Sequence, residues 1–197
     1  MKFGVSGEAL MSHIHEIETE RLRLRQWKDS DKPVFALMSA DAETMRYLPE
    51  MLSEEESNAM AQRCHELIEQ RGWGFWAAEE KATGSFVGFI GLHIPIAELP
   101  FSPCVEIGWR LSRSVWGRGF ATEGASAALE FAFEQLLLSE VVSFTAVGNA
   151  RSERVMKRLG MQREPRNFQH PAVSQGHPLR EHCLYRAFAP GTTQDPR

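Results

Sequence analysis

The chain has 197 residues, 43% of them hydrophobic, and a formal net charge of −4, which suits one domain around one sizeable core. That negative balance speaks against a protein held on nucleic acid through phosphate contacts. The first hydrophobic stretch, Phe3 to Leu10, is broken by Gly, Ser and Glu and is too short for a secretion signal or a membrane span, so no membrane association and a cytoplasmic location are expected.

Residues 1 to about 17 carry no periodic pattern and read as a loose leader, with Met11 an alternative start. Arg21 to Trp27 alternates with Leu22 and Leu24 on one face, the period of a half-buried strand. Asp29 to Ala40 and Ser53 to Gln70 read as helices. Ser53 and Glu56 are spaced for a capping box, and Met60, Cys64, Leu67 and Ile68 recur at helical spacing. Gly74 to Glu79 and Ser85 to Leu92 form a hairpin around a turn ending in Gly84. Cys104 to Leu111 then alternates, with Val105, Ile107, Trp109 and Leu111 on one face and Glu106, Gly108 and Arg110 on the other. Ala121 to Leu138 carries a helical stripe, Val141 to Val147 reads as a buried strand, Ala150 to Leu159 as a helix stopped by Gly160, and Glu181 to Phe188 as the last strand. A tail follows from about residue 190.

Cys64, Cys104 and Cys183 are scattered, without a CxxC pair, and read as small apolar residues. His170, His177 and His182 match no ligand spacing, so no metal is expected. Charge is unevenly placed. Asp41 to Glu80 holds ten acidic and three basic residues, whereas Arg110 to Arg166 holds nine basic and six acidic. Such a division suits a cationic amine on one side and an anionic cofactor on the other, and it equally suits solvated helix faces.

The segment Val115-Trp116-Gly117-Arg118-Gly119-Phe120-Ala121-Thr122-Glu123 lies between a strand and a long helix. Glycines on either side of one residue let backbone N–H groups converge on a point, and the following helix adds its free N–H groups and the positive end of its dipole. A diphosphate fits that arrangement, and a plain turn would also use it. The GK[ST] ending of a Walker loop is absent, and Thr122 stands where a dinucleotide fingerprint needs a small residue.

Trp116-Gly117-Arg118-Gly119-Phe120-Ala121 resembles the acyl-CoA motif of the GNAT superfamily, Gln/Arg-x-x-Gly-x-Gly/Ala, with Trp116 departing from the usual Gln or Arg. The run through Thr122 and Glu123 is similar to the RimJ/RimL branch, as are Asn149-Ala150-Arg151-Ser152 with Leu159-Gly160-Met161, and Glu106-Ile107-Gly108-Trp109. The resemblance covers roughly Glu18 to Phe188. It implies an α/β (α+β) fold with a mixed, mostly antiparallel sheet, whose fourth and fifth strands, 104–111 and 141–147, splay around acyl-CoA. It makes residues 18–189 one acetyltransferase domain, between the leader of 1–17 and a tail of 190–197.

The activity implied is transfer of acetyl from acetyl-CoA to a primary amine by direct attack. The acceptor is a protein N terminus, or alternatively a small amine, polyamine or antibiotic; a catalytically silent acyl-CoA sensor is the rival from another class. A homodimer is compatible with this reading. Cofactor contacts are expected from Trp109, Gly117, Arg118, Gly119, Phe120, Ala121, Thr122, Asn149 and Ser152. Backbone N–H groups freed at the splay would hold the oxyanion. Glu106 would take the proton of the amine, directly or through a water. Ser152 and Tyr185 are the candidates for protonating the thiolate, Ser152 being favoured because Tyr185 also reads as a buried structural tyrosine. The amine pocket is expected from Tyr47 to Met51, from Trp73 to Trp76, where Trp73, Phe75 and Trp76 are candidate walls or core residues, and from the segment Asn167 to Pro178.

Overall fold

The computed structural model describes residues 13–191. Residues 1–12 of the expected leader, with Met11, and residues 192–197 of the expected tail lie outside the described residues. Among those described, a nine-stranded sheet places β1 (Ile17–Glu18), β2 (Leu22–Arg25), β3 (Phe75–Glu80), β4 (Ser85–His93), β5 (Glu106–Leu111) and β6 (Glu140–Ala146) side by side in chain order. Beside β6 lies β9 (Glu181–Phe188), which also pairs β7 (Gln162–Arg163) and β8 (Phe168–Gln169). Neighbours run antiparallel except β5 and β6, which are parallel. This is the mixed, mostly antiparallel sheet that the sequence resemblance implies.

The helices are α1 (Lys32–Ser39), α2 (Ala42–Met45), α3 (Glu54–Arg71), α4 (Phe120–Glu134) and α5 (Ala150–Arg158). Ser53 Oγ accepts from the Glu56 N–H at 3.2 Å while the Glu56 carboxylate accepts from the Ser53 N–H at 2.8 Å, so the capping box opens α3 as its spacing predicts. Gly72 closes that helix at φ 80°. At its far end α4 stops short of the expected Leu138. Leu137 takes the left-handed conformation at φ 53°, and the Leu138 N–H turns back to the Ala132 carbonyl at 3.0 Å.

Strand alternation sends α4 to one face and the α1–α3 group to the other. On the first face Trp76 meets Phe131 of α4 edge-on at 5.4 Å, and Gly124 lies so close to Ile90 that a Cβ there would come within 2.5 Å of it. On the second face Phe35 of α1 packs against Trp27, Phe86 and Phe89 at 5.1–6.4 Å. Residues 13–17, grouped with the leader in the sequence reading, hold defined contacts. The His15 N–H bonds the Gly72 carbonyl at 2.8 Å, and the His15 carbonyl accepts from Trp76 Nε1–H at 2.7 Å.

At the edge of the helical face Arg25, 4% exposed, donates to both oxygens of Asp31, 2% exposed, at 2.7 and 2.9 Å, and to Glu79 at 2.6 Å. Removing one member of so enclosed a group leaves charge without an answer, so Arg25→Met should lower unfolding stability by about 3–5 kcal/mol in urea denaturation. A loss below about 1 kcal/mol, the range of an exposed ion pair, would contradict this role.

Candidate active site

Strands β5 and β6 share one registered pair, Glu106 with Val142, closed by a 2.9 Å bond from the Val142 N–H to the Val105 carbonyl. Beyond it β5 stays on β4 and β6 stays on β9, and the two part. The Ser112 N–H faces β4, bonding the Val87 carbonyl, while Val105 faces β6. Alternation therefore turns the N–H groups of Ile107 and Trp109 into the gap. A cavity of about 860 Å³ fills the gap, with residues of α2, α4 and α5 also on its walls. Its walls include Ile107 and Trp109 of β5, Ser143 to Ala146 of β6, Tyr47 and Leu48 after α2, Phe75 and Phe89 of the sheet, and Asn149 and Ser152 at the start of α5.

At one end lies the glycine turn. Gly117 and Gly119 adopt φ 77° and 84°, and a Cβ on Gly117 would meet nothing within 4 Å. No side chain caps α4. Glu123 is the residue whose N–H bonds back to the Gly119 carbonyl, at 3.0 Å, leaving the N–H groups of Phe120, Ala121 and Thr122 free of helical partners. Thr122 Oγ1 is buried and likewise has no partner. The loop is braced from behind: Arg21 donates to the Arg118 carbonyl at 2.9 Å and to Glu123 at 2.6 Å. Arg118 itself pairs with Glu80, and Arg21 and Arg118 both lie over the Phe120 ring, at 4.9 and 4.4 Å. Trp116, at the variant motif position, donates from Nε1 to the Leu111 carbonyl at 2.9 Å and carries Arg151 on its ring at 4.2 Å.

Glu106 lies at the closed end of the gap, where burial pushes its carboxyl up to about 7. Asn149 Oδ1 caps α5 through the Ser152 N–H at 3.3 Å, and its Nδ2 donates to Thr145 at 2.9 Å. One N–H of that amide remains for a ligand.

The cavity gathers Tyr47, Glu106, Trp109, Gly117, Gly119, Phe120, Ala121, Thr122, Asn149 and Ser152 from the residues expected at the site. It does not gather Trp73, Trp76, Arg118 or Tyr185. Trp76 is fully buried on the α4 face, and Phe75 takes the cavity position beside it. Arg118 spends its side chain on Glu80. Tyr185 pairs across from Ser143 and points to α5, where its hydroxyl donates to Glu153 at 2.8 Å; burial and that carboxylate push the phenol up to about 12.

Two histidines on the cavity wall are not among the site residues singled out from the sequence, although His170 belongs to the Asn167 to Pro178 segment expected beside the amine pocket. Nδ1 of His182 meets the Arg180 carbonyl at 3.1 Å and so carries the proton, leaving a lone pair at Nε2. His170 Nδ1 accepts from the Ala172 N–H at 3.3 Å, so its ring proton sits on Nε2. The rings stand 4.9 Å apart, and burial holds both below the usual histidine range. Both come from the Asn167 to Pro178 segment and the strand after it, whose tight turns are visible only once folded. Among the described residues no three His, Cys, Asp or Glu side chains converge as metal ligands, and no helix is long and apolar enough to cross a membrane.

A family model described as an acetyltransferase (GNAT) domain matches residues 21–162. The chain belongs to the GNAT acetyltransferases. It is 33% identical over 150 residues to the uncharacterized N-acetyltransferase YoaA of Bacillus subtilis, covering 75% of this chain and 83% of that one. An acetyltransferase structure from Agrobacterium tumefaciens superposes with a TM-score of 0.71 at 27% identity, over 91% of this chain and 98% of that one. RimL, a ribosomal L7/L12 alpha-N-protein acetyltransferase solved with coenzyme A, shares the fold at a TM-score of 0.70 and 19% identity, over 89% of this chain and 98% of that one.

As a GNAT enzyme the chain is an acyl-CoA-dependent N-acetyltransferase, and the free α4 N–H groups, the orphaned Thr122 hydroxyl and the open space above Gly117 fit the diphosphate of acetyl-CoA. Gly119→Val places a branched side chain at φ 84°. The strain is about 1–3 kcal/mol, so affinity for CoA in calorimetric titration should fall about tenfold or more. Unchanged affinity would exclude this turn as the cradle.

Proposed function

We propose that this enzyme transfers acetyl from acetyl-CoA to a primary amine by direct attack in a ternary complex, with Glu106 as the base. The observation that carries this reading is the setting of Glu106. It stands where β5 and β6 part, on the cavity wall, with its carboxyl raised to about 7 by burial. A base so placed is half ionised near neutral pH and takes a proton from the acceptor as the nitrogen lone pair attacks the thioester carbonyl. The Ile107 and Trp109 N–H groups face the gap and are the proposed donors to the oxyanion. Collapse of the adduct then expels the CoA thiolate. Ser152 is the proposed proton donor to it, supported by its place on the cavity wall; Tyr185, not among the cavity walls and bonded to Glu153, has no such support.

A protein N-terminal amine is the acceptor class suggested by the likeness to RimL, an alpha-N-protein acetyltransferase. A silent acyl-CoA sensor would need the glycine turn and would have no use for a carboxylate raised toward neutrality.

The test follows free thiol released from acetyl-CoA with a panel of peptides and small amines. Acceptor-dependent release is expected, and its absence with every acceptor, despite tight CoA binding, would refute catalysis. Glu106→Gln should lower kcat about 10²- to 10⁴-fold while CoA affinity holds. In the unaltered enzyme kcat should rise with pH through about 7, since the base works only when ionised. With an acceptor amine that titrates well above that range, an inflection that survives in Glu106→Gln would assign it to another group.

A further inference from the structure

Arg110 lies on the same face of β5 as Glu106, four residues on, and lines the same cavity. Their Cα atoms are separated by about 13 Å of extended strand. Burial alone accounts for the raised carboxyl of Glu106, with no contribution from a neighbouring cation, so the two do not pair. Among the described residues no hydrogen bond or ion pair engages the Arg110 guanidinium, and its Nη1 is shut away from water. Its surroundings are aromatic: Phe35 and Phe89 lie 5.7 and 5.4 Å from it. Burial drives its pKa down to about 10.

The contrast with Arg25 is direct. Arg25 is buried and answered by Asp31 and Glu79, whereas Arg110 is half-buried on the cavity wall with its Nη1 unanswered. Glu43, another carboxylate on the cavity wall, is engaged with Arg46 and Arg151. A guanidinium whose Nη1 is shut from water without a partner is costly to the free protein, and a carboxylate is the group whose geometry its planar fork matches.

We propose that Arg110 receives a carboxylate of the acceptor, so that the enzyme selects amines that also carry an anionic group several bonds from the nitrogen. This rests on the reading of Glu106 as the base at the amine. An acceptor spanning the two residues presents its nitrogen at the closed end of the gap and its carboxylate against the Phe35 and Phe89 wall. Amino acids and peptides both have this chemistry.

The experiment pairs each acceptor with its own carboxamide: α-amino acids, ω-amino acids of increasing length, and short peptides with a free or amidated C terminus. The ratio of kcat/KM for acid over amide should be about 10- to 100-fold in the favoured member. In Arg110→Met the ratio should collapse to about one, and in Arg110→Lys, which keeps the charge but not the fork, it should recover in part. The lengths that discriminate separate free amino acids from peptides. A ratio of one or less throughout the panel, or one retained in Arg110→Met, overturns the proposal.

Calorimetric titration of the CoA complex with the same pairs reads the preference without turnover. Discriminating binding with no acetylation would refute the acceptor reading while leaving the anion site standing; binding without discrimination would remove the site. Removing a guanidinium with a buried, unanswered Nη1 should also raise Tm by about 2–4 °C in Arg110→Met. A lower Tm would mark Arg110 as a structural residue and count against the proposal.

Discussion

The site depends on β6 leaving β5 after one pair. Each strand keeps a full ladder on its other side, β5 with β4 and β6 with β9, so the sheet survives the breach. Backbone groups left along the gap want partners, because an unmet buried donor costs about 1–3 kcal/mol. The breach therefore makes a slot lined with N–H donors, part of the cavity of about 860 Å³. It also fixes the place of Glu106, the proposed base, which stands at the last point where the two strands touch.

The glycine turn at the far end of the slot is held from outside it. Glu123 receives the Thr19 hydroxyl at 2.6 Å, the Arg21 N–H at 2.8 Å and the Arg21 guanidinium at 2.6 Å. Burial works against ionising that carboxyl, yet these donors keep it below the usual range. Arg21 then reaches the Arg118 carbonyl, and Arg118 reaches Glu80. Residues at the edge of β2 and the end of β3 thus keep the backbone of the turn in shape, with the first N–H groups of α4 left free of helical partners. These few charged contacts tie the turn proposed as the cofactor cradle to the strands of the fold.

Local signals carried most of the fold. The Ser53 and Glu56 pair starts α3, and the last strand, expected at about Glu181 to Phe188, is β9. Strand parity puts Glu106 opposite the Val105, Ile107 and Trp109 stripe before any packing is known, whereas the glycine turn stands out as a candidate cradle only through the resemblance of its motif, and of those around Glu106 and Asn149, to the GNAT family. Elsewhere the deciding facts are tertiary. Trp73 and Trp76 read as pocket walls, but which of two adjacent aromatics faces α4 depends on the register of β3 with β4. Tyr185 could be turned to either face until β6 and β9 are paired. The tautomers of His170 and His182 are set by turns around residues 170–180, and the isolation of Arg110 shows only when its neighbours prove to be aromatic. Residues 13–17 have no period of their own because their partners, Gly72 and Trp76, lie far along the chain.

Amide hydrogen exchange of the free protein and of its CoA complex bears most directly on this account. If the gap between β5 and β6 holds the thioester arm, the Ile107 and Trp109 amides should exchange freely in the free protein and become protected, with those of Phe120 to Thr122, when CoA binds. Protection confined to other surfaces, with these amides unchanged, would contradict it.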